Sequence, residues 1–377
     1  MSEYQHYEFH AIDRPLNPEV MAAVGKMSSR VQLSSRKAVF TYSYSDFRYD
    51  EEEVLVDYFD FMLYISNWGT KRMMMKFPLE LVDYDFLKKY RIRVLSDYEQ
   101  EIRVLRRGEY IIVDINYSEE DGLGWIDEGD HGYDFLNIRQ EIMEGDYRSL
   151  FMMWLRFLED LYRSNEFDHE YSIDSKLIPS NLLSLSASSH AVKDFYGIDE
   201  DWLAVMRAYS GFEEVEKDNY EAIIPNMSKE RMIEYIQMIL REESHLKIRL
   251  IKELQGKSRV RNSGSDLIKL LEIGKRIVEI KEKKLREEEK RKARETLERM
   301  DKIRQNREGI EKEVTASIEQ GNSKGYRLAL SKILELKAMN DYFNMGSYFE
   351  LLLDQIRTNY SRKSSFIRML KEERLIE

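Results

Sequence analysis

His6, Glu8 and His10 alternate along an extended stretch, a spacing that puts two imidazoles and a carboxylate on one strand face. Such a face can chelate a metal, but a plain polar, wet face explains it more simply and is preferred. A second grouping is acidic: Glu119, Glu120 and Asp121, then Asp127, Glu128 and Asp130 beside His131. Clustered carboxylates suit Ca²⁺ or Mg²⁺, yet the spacing misses the calcium-loop pattern. Gly256-Lys257-Ser258 supplies the tail of a phosphate-binding loop, but Ile251 stands where its first glycine belongs, after a helical stretch. Gly122 and Gly124 begin a dinucleotide fingerprint that fails at Asp127, and His169-Glu170 begins a zinc-protease motif that fails at Ile173. There is no Gly-x-Ser-x-Gly elbow and no kinase signature. Absence of cysteine removes thiolate metal sites, disulfides and a cysteine nucleophile together. No catalytic residue, metal or cofactor is assigned, a non-enzymatic role is favoured, and neither ATP nor GTP hydrolysis is expected.

Charge offers a different lead. The 377 residues carry 59 Lys+Arg and 70 Asp+Glu, a net of −11 that is unevenly spread. Residues 1–226 sum to −20 and residues 227–377 to +9. A basic half can answer an acidic partner, although charge runs more often keep long helices solvated. If the partner were nucleic acid, Arg357, Arg362, Lys363, Arg368, Lys371 and Arg374 would contact phosphates, joined by Lys257, Arg259 and Arg261.

The elements carrying these residues change character along the chain. Residues 1–120 suggest a mixed α+β domain. Tyr7, Phe9 and Ala11 alternate with the polar trio. Asn17-Pro18 starts a helix and Asp50 with Glu53 starts another. Strands are expected at 38–44, 61–66, 71–77 and 109–117, with a turn at Asn67-Trp68-Gly69-Thr70. Residues 133–255 have helical periodicity, with a broad apolar stripe from Leu150 to Leu161. Polar, basic residues 256–265 read as a linker. A charged helix is expected over 266–320 and a C-terminal helical domain over 326–377, where Ser347 and Glu350 have capping-box spacing.

Between 281 and 308 the charged helix holds 12 basic and 8 acidic side chains. Five Glu-to-basic pairs at i,i+4 are expected: Glu282–Arg286, Glu287–Arg291, Glu288–Lys292, Glu295–Arg299 and Glu298–Lys302. The apolar seam that a coiled coil needs exists at Leu270, Ile273, Ile277 and Ile280 and again at Leu297, Met300 and Ile303, but is missing between. The centre therefore suggests a solvated single helix, a spacer.

Tyr7-Glu8-Phe9-His10-Ala11-Ile12-Asp13-Arg14-Pro15-Leu16, Asn67-Trp68-Gly69-Thr70-Lys71-Arg72 and Gly145-Asp146-Tyr147-Arg148-Ser149-Leu150 together resemble a bacterial protein family of no known activity. The closing Arg362-Lys363-Ser364-Ser365-Phe366 is similar to that family's end. The resemblance implies one continuous architecture and lends no catalytic residue. No stretch approaches the ~18 apolar residues of a membrane span, so a cytoplasmic location is expected. The leading functional expectation is a protein-interaction or scaffold protein with an unidentified protein partner. A nucleic-acid-associated accessory protein is the runner-up.

Overall fold

The computed structural model describes residues 4–94, 100–119, 122, 131–165, 167–211, 227–255 and 266–376. The chain is α+β and divides into two compact units, Met1–Glu279 and Ile280–Glu377.

In the first unit the strands are β1 (Gln5–His10), β2 (Gln32–Leu33), β3 (Lys37–Tyr42), β4 (Phe61–Ser66), β5 (Thr70–Pro78), β6 (Ile92–Val94), β7 (Gln100–Arg107) and β8 (Tyr110–Ser118). They form one antiparallel sheet in the order β2-β3-β1-β4-β5-β8-β7-β6. Asn17 and Asp50 cap α1 (Pro18–Gly25) and α2 (Glu51–Tyr58) as their positions predict, accepting from Val20 N and Glu53 N, both at 2.8 Å. Val24, Val54, Leu55 and Phe59 join Tyr7, Phe9, Phe40 and Met62 in one core. Residues on the Tyr117 side meet a helical layer instead, in which α3 (Leu136–Met143) sets Arg139 over the Phe77 ring. Tyr117 lies edge-on to Phe157 of α4 (Arg148–Ser164) and to Tyr196 of α5 (Ala187–Tyr196), each at 5.7 Å between ring centres. On β1, Tyr7 and Phe9 enter the first core while the backbone of His131 and Gly132 closes over Glu8 on the opposite face. All six residues of the strand are buried, so the expectation of one wet face is overturned.

The turn at 66–70 shows why a glycine follows Trp68. Gly69 has φ +113°, and a Cβ there would come within 2.3 Å of the Glu119 carbonyl oxygen. Met73, Met74 and Met75 are all buried, serving the core on both faces.

The charged helix is shorter than its composition suggests. Residues Leu267–Lys269 form a strand paired with Ser172–Asp174, matching Ile268 with Ile173. The helix, α6 here, runs Leu270–Gln305, and α7 follows at Arg307–Glu319 after one irregular residue, Asn306. Leu270, Ile273 and Ile277 are buried in the first unit. Gly274 lies among them because a Cβ there would meet the Tyr162 ring at 2.0 Å.

The second unit continues with α8 (Ser323–Phe343), α9 (Tyr348–Tyr360) and α10 (Ser364–Glu372). Its core joins Met300 and Ile303 to Val314, Ile333, Leu353 and Phe366. Asn322 caps α8 by accepting from Gly325 N at 2.8 Å. Gly325 also lets α7 approach, since a Cβ there would sit 2.4 Å from the Ser317 carbonyl. Ser347 precedes α9 without the expected side-chain cap, its backbone already near-helical at φ −80°, ψ 6°.

Candidate functional site

The polar trio on β1 is a buried clamp. Glu8 accepts from His10 Nε2 at 2.6 Å and from His6 Nε2 at 3.3 Å. Backbone N–H groups of His131 and Gly132 donate to the oxygen that His6 also contacts, at 3.1 and 3.2 Å. Burial alone would raise this carboxyl, but the bonds from His10 and His6 outweigh it and hold it well below the usual range. Two of the four bonds to Glu8 thus fasten the 131–132 segment to the central strand. His6 Nδ1 is left buried without a partner among the described residues. No three His, Asp or Glu side chains among them are arranged to hold a metal. Most of the acidic loop, Glu120–Asp121 and 123–130, lies outside the described residues.

A second buried network ties neighbouring segments. Arg139 makes a two-pronged contact with Asp13 and donates to the Lys76 carbonyl, and His245 Nε2 lies 2.8 Å from Asp13. Burial opposes ionisation of Asp13, but the bonds from His245 and Arg139 bring its carboxyl down to about 2. These side chains are occupied with one another and present no open face, which makes them structural.

Of the basic positions proposed for nucleic acid, Lys257, Arg259 and Arg261 lie outside the described residues. Arg357 is in the last turn of α9, Arg362 and Lys363 in the connection, Arg368 and Lys371 on α10, and Arg374 just beyond it. All are exposed except the half-buried Lys363. Arg368 faces Glu372 at 3.6 Å.

Sequence reasoning missed a feature on α8. Arg327, Ser331, Leu334 and Ala338 recur at helical spacing along it. With Leu330 and Glu335, and with Arg299 of α6, they line an open trough of about 440 Å³. Leu334 is 36% exposed. Glu335 is engaged by Lys332 at 3.1 Å, while Arg299 and Arg327 are exposed and have no carboxylate partner among the described residues. The spacing of Leu330, Leu334 and Ala338 was visible in the sequence. Which stripe of α8 stays uncovered was not, because that depends on how α7 and α9 pack.

The charge pairs along α6 explain why Arg299 is free. Glu282–Arg286 and Glu288–Lys292 form as expected, at 3.2 and 2.9 Å. Glu295 instead turns back to Arg291 and Glu298 to Arg294, at 3.4 and 3.7 Å. Exposed pairs differ by only tenths of a kcal/mol, so a glutamate between two arginines chooses on rotamer convenience.

No family model, no curated protein and no solved structure matches the chain.

Proposed function

We propose that the protein acts by binding another protein through its second unit, with the charged helix as a solvated arm leading into that unit. The observation behind this reading is that every residue from Lys281 to Arg299 is exposed, while the helix on either side is anchored by buried Ile277 and Met300. A helix whose side chains are all exposed over this length serves as a connector rather than as core. The exposed apolar side chains Ile233, Ile236 and Leu240 on the helix Lys229–Leu240 also suit a protein that meets other proteins.

A nucleic-acid reading rests on one specific observation. Arg357, Arg362, Lys363, Lys371 and Arg374 have no carboxylate partner among the described residues. Against it, Glu350, Asp354, Glu372 and Glu373 are interleaved with them and repel phosphate.

Lysine-directed cross-linking of the intact chain in its own cells, read by peptide mass spectrometry, tests the two. Links from Lys290, Lys324 or Lys337 to one recurring protein are expected. Only intrachain links, together with retardation of a nucleic acid that weakens steeply with salt, would replace the first reading by the second.

A further inference from the structure

We infer that the trough on α8 receives an amphipathic helix of a partner protein, with an apolar stripe along one face and carboxylates that meet Arg299 and Arg327. This rests on the protein-binding reading above and names the chemistry of what is bound.

Three features select that occupant. Leu330, Leu334 and Ala338 give an apolar floor spaced i, i+4 and i+8, the stripe that a helix lying alongside can cover with its own i, i+3 and i+7 side chains. Arg327 begins the stripe, eleven residues before Ala338, a distance of about 16 Å along the axis. That length corresponds to three turns of a bound helix. Arg299 enters from α6 as the second cation of the trough. Neither arginine has an acidic partner among the described residues, so an incoming carboxylate displaces none. Guanidinium–carboxylate bonds at the rim of an apolar contact are the stronger, charge-assisted kind.

Other occupants fit less well. Among the described residues, the trough is lined by no aromatic side chain on which a nucleic-acid base could stack. Beyond the two arginines, its polar groups are Ser331 and the already paired Glu335, which do not converge on any point as a small-molecule site requires.

The full-length chain is titrated into a fluorescein-labelled synthetic 14-residue helical peptide, with leucines at positions 4, 7 and 11 and glutamates at 1, 2, 13 and 14. Anisotropy reports binding. Saturable binding that weakens with salt is expected, as is loss of about tenfold or more in affinity on Arg299→Glu combined with Arg327→Glu, or on Leu334→Asp. Replacing the four glutamates by lysine should abolish binding. Arg362→Glu with Lys371→Glu should leave it unchanged. All five substituted positions are exposed, and thermal melts identical to the parent show that the variants fold.

The proposal is overturned if the peptide does not saturate, if its lysine version binds equally, or if the trough variants bind as the parent does. Displacement of the peptide by a 20-nucleotide single strand would assign the trough to nucleic acid instead. A doubling of mass on concentration, abolished by Leu334→Asp, would assign it to a second copy. Cellular cross-links that persist in Leu334→Asp protein would refute the trough while leaving protein binding by this unit standing.

Discussion

Glu159 on α4 sits fully buried, its carboxylate reached by Arg156 at 3.0 Å and by the Asp199 backbone N–H at 3.1 Å. Burial outweighs the pull of Arg156 and pushes its carboxyl up to about 7. The folded protein therefore holds a proton there that the unfolded chain releases above about pH 4.5. Stability from this group is fully present below that pH and is lost as the pH climbs through about 7, on the order of 3 kcal/mol in all. Urea unfolding at pH 5 and pH 8 should show that loss in the parent and a much flatter response in Glu159→Gln. An unchanged slope would mean that the arginines keep the carboxylate ionised. Two glycines invite a paired test. The sequence alone makes Gly274 and Gly309 equal weak points of one helix, each costing ~1 kcal/mol relative to alanine. Packing separates them. Gly274→Ala must displace the Tyr162 ring and should cost about 1–3 kcal/mol. At Gly309 the obstacle is only the tip of the Asn306 side chain, which can turn aside, so Gly309→Ala should stabilise by up to about 1 kcal/mol.

The elements show where periodicity suffices and where it stops. Strands β4, β5 and β8 and the helices α1, α2 and α4 are legible because their apolar spacing, caps and turn residues agree with one another. The wet face predicted for β1 fails because alternation reports which residues differ, not what covers them. Its cover comes from residues 131–132, more than a hundred positions away. The missing start of the charged helix has a similar origin, since Leu267–Lys269 pair with a strand that no local pattern announces. Along α6, the seam residues Leu297, Met300 and Ile303 look alike in sequence. Met300 and Ile303 are buried in the second core, whereas Leu297 is 42% exposed. Met300→Asp should therefore destabilise the second unit by about 2–5 kcal/mol and Leu297→Asp by well under 1. Replacing Glu288 and Lys292 together by glutamine should leave stability essentially unchanged, because both side chains are exposed. Denaturant titrations of the three variants rank these effects, and a large loss from the glutamine pair would show that the arm is packed in solution.

For the whole molecule, the boundary between units falls within a helix rather than in a loop. The first unit owns Ile268, Leu270, Ile273 and Ile277, all buried. A fragment ending at residue 279 should melt as one cooperative unit. One ending at residue 255 loses four core side chains worth roughly 1.5–3 kcal/mol each, and should be much less stable or unfolded. Equal melting of the two fragments would contradict this division of the chain. During synthesis, residues 5–10 leave the ribosome roughly thirty residues ahead of β3, their first sheet neighbour, and roughly 120 ahead of the segment that closes over Glu8. In that interval Tyr7 and Phe9 belong to a bare β-prone hexapeptide, the kind of segment that stacks against copies of itself. His6, Glu8 and His10 keep every second position hydrated, and a charge at the middle of the segment opposes such stacking. The carboxylate that takes four hydrogen bonds in the finished sheet would, while still hydrated, oppose stacking of the nascent strand until its neighbours arrive.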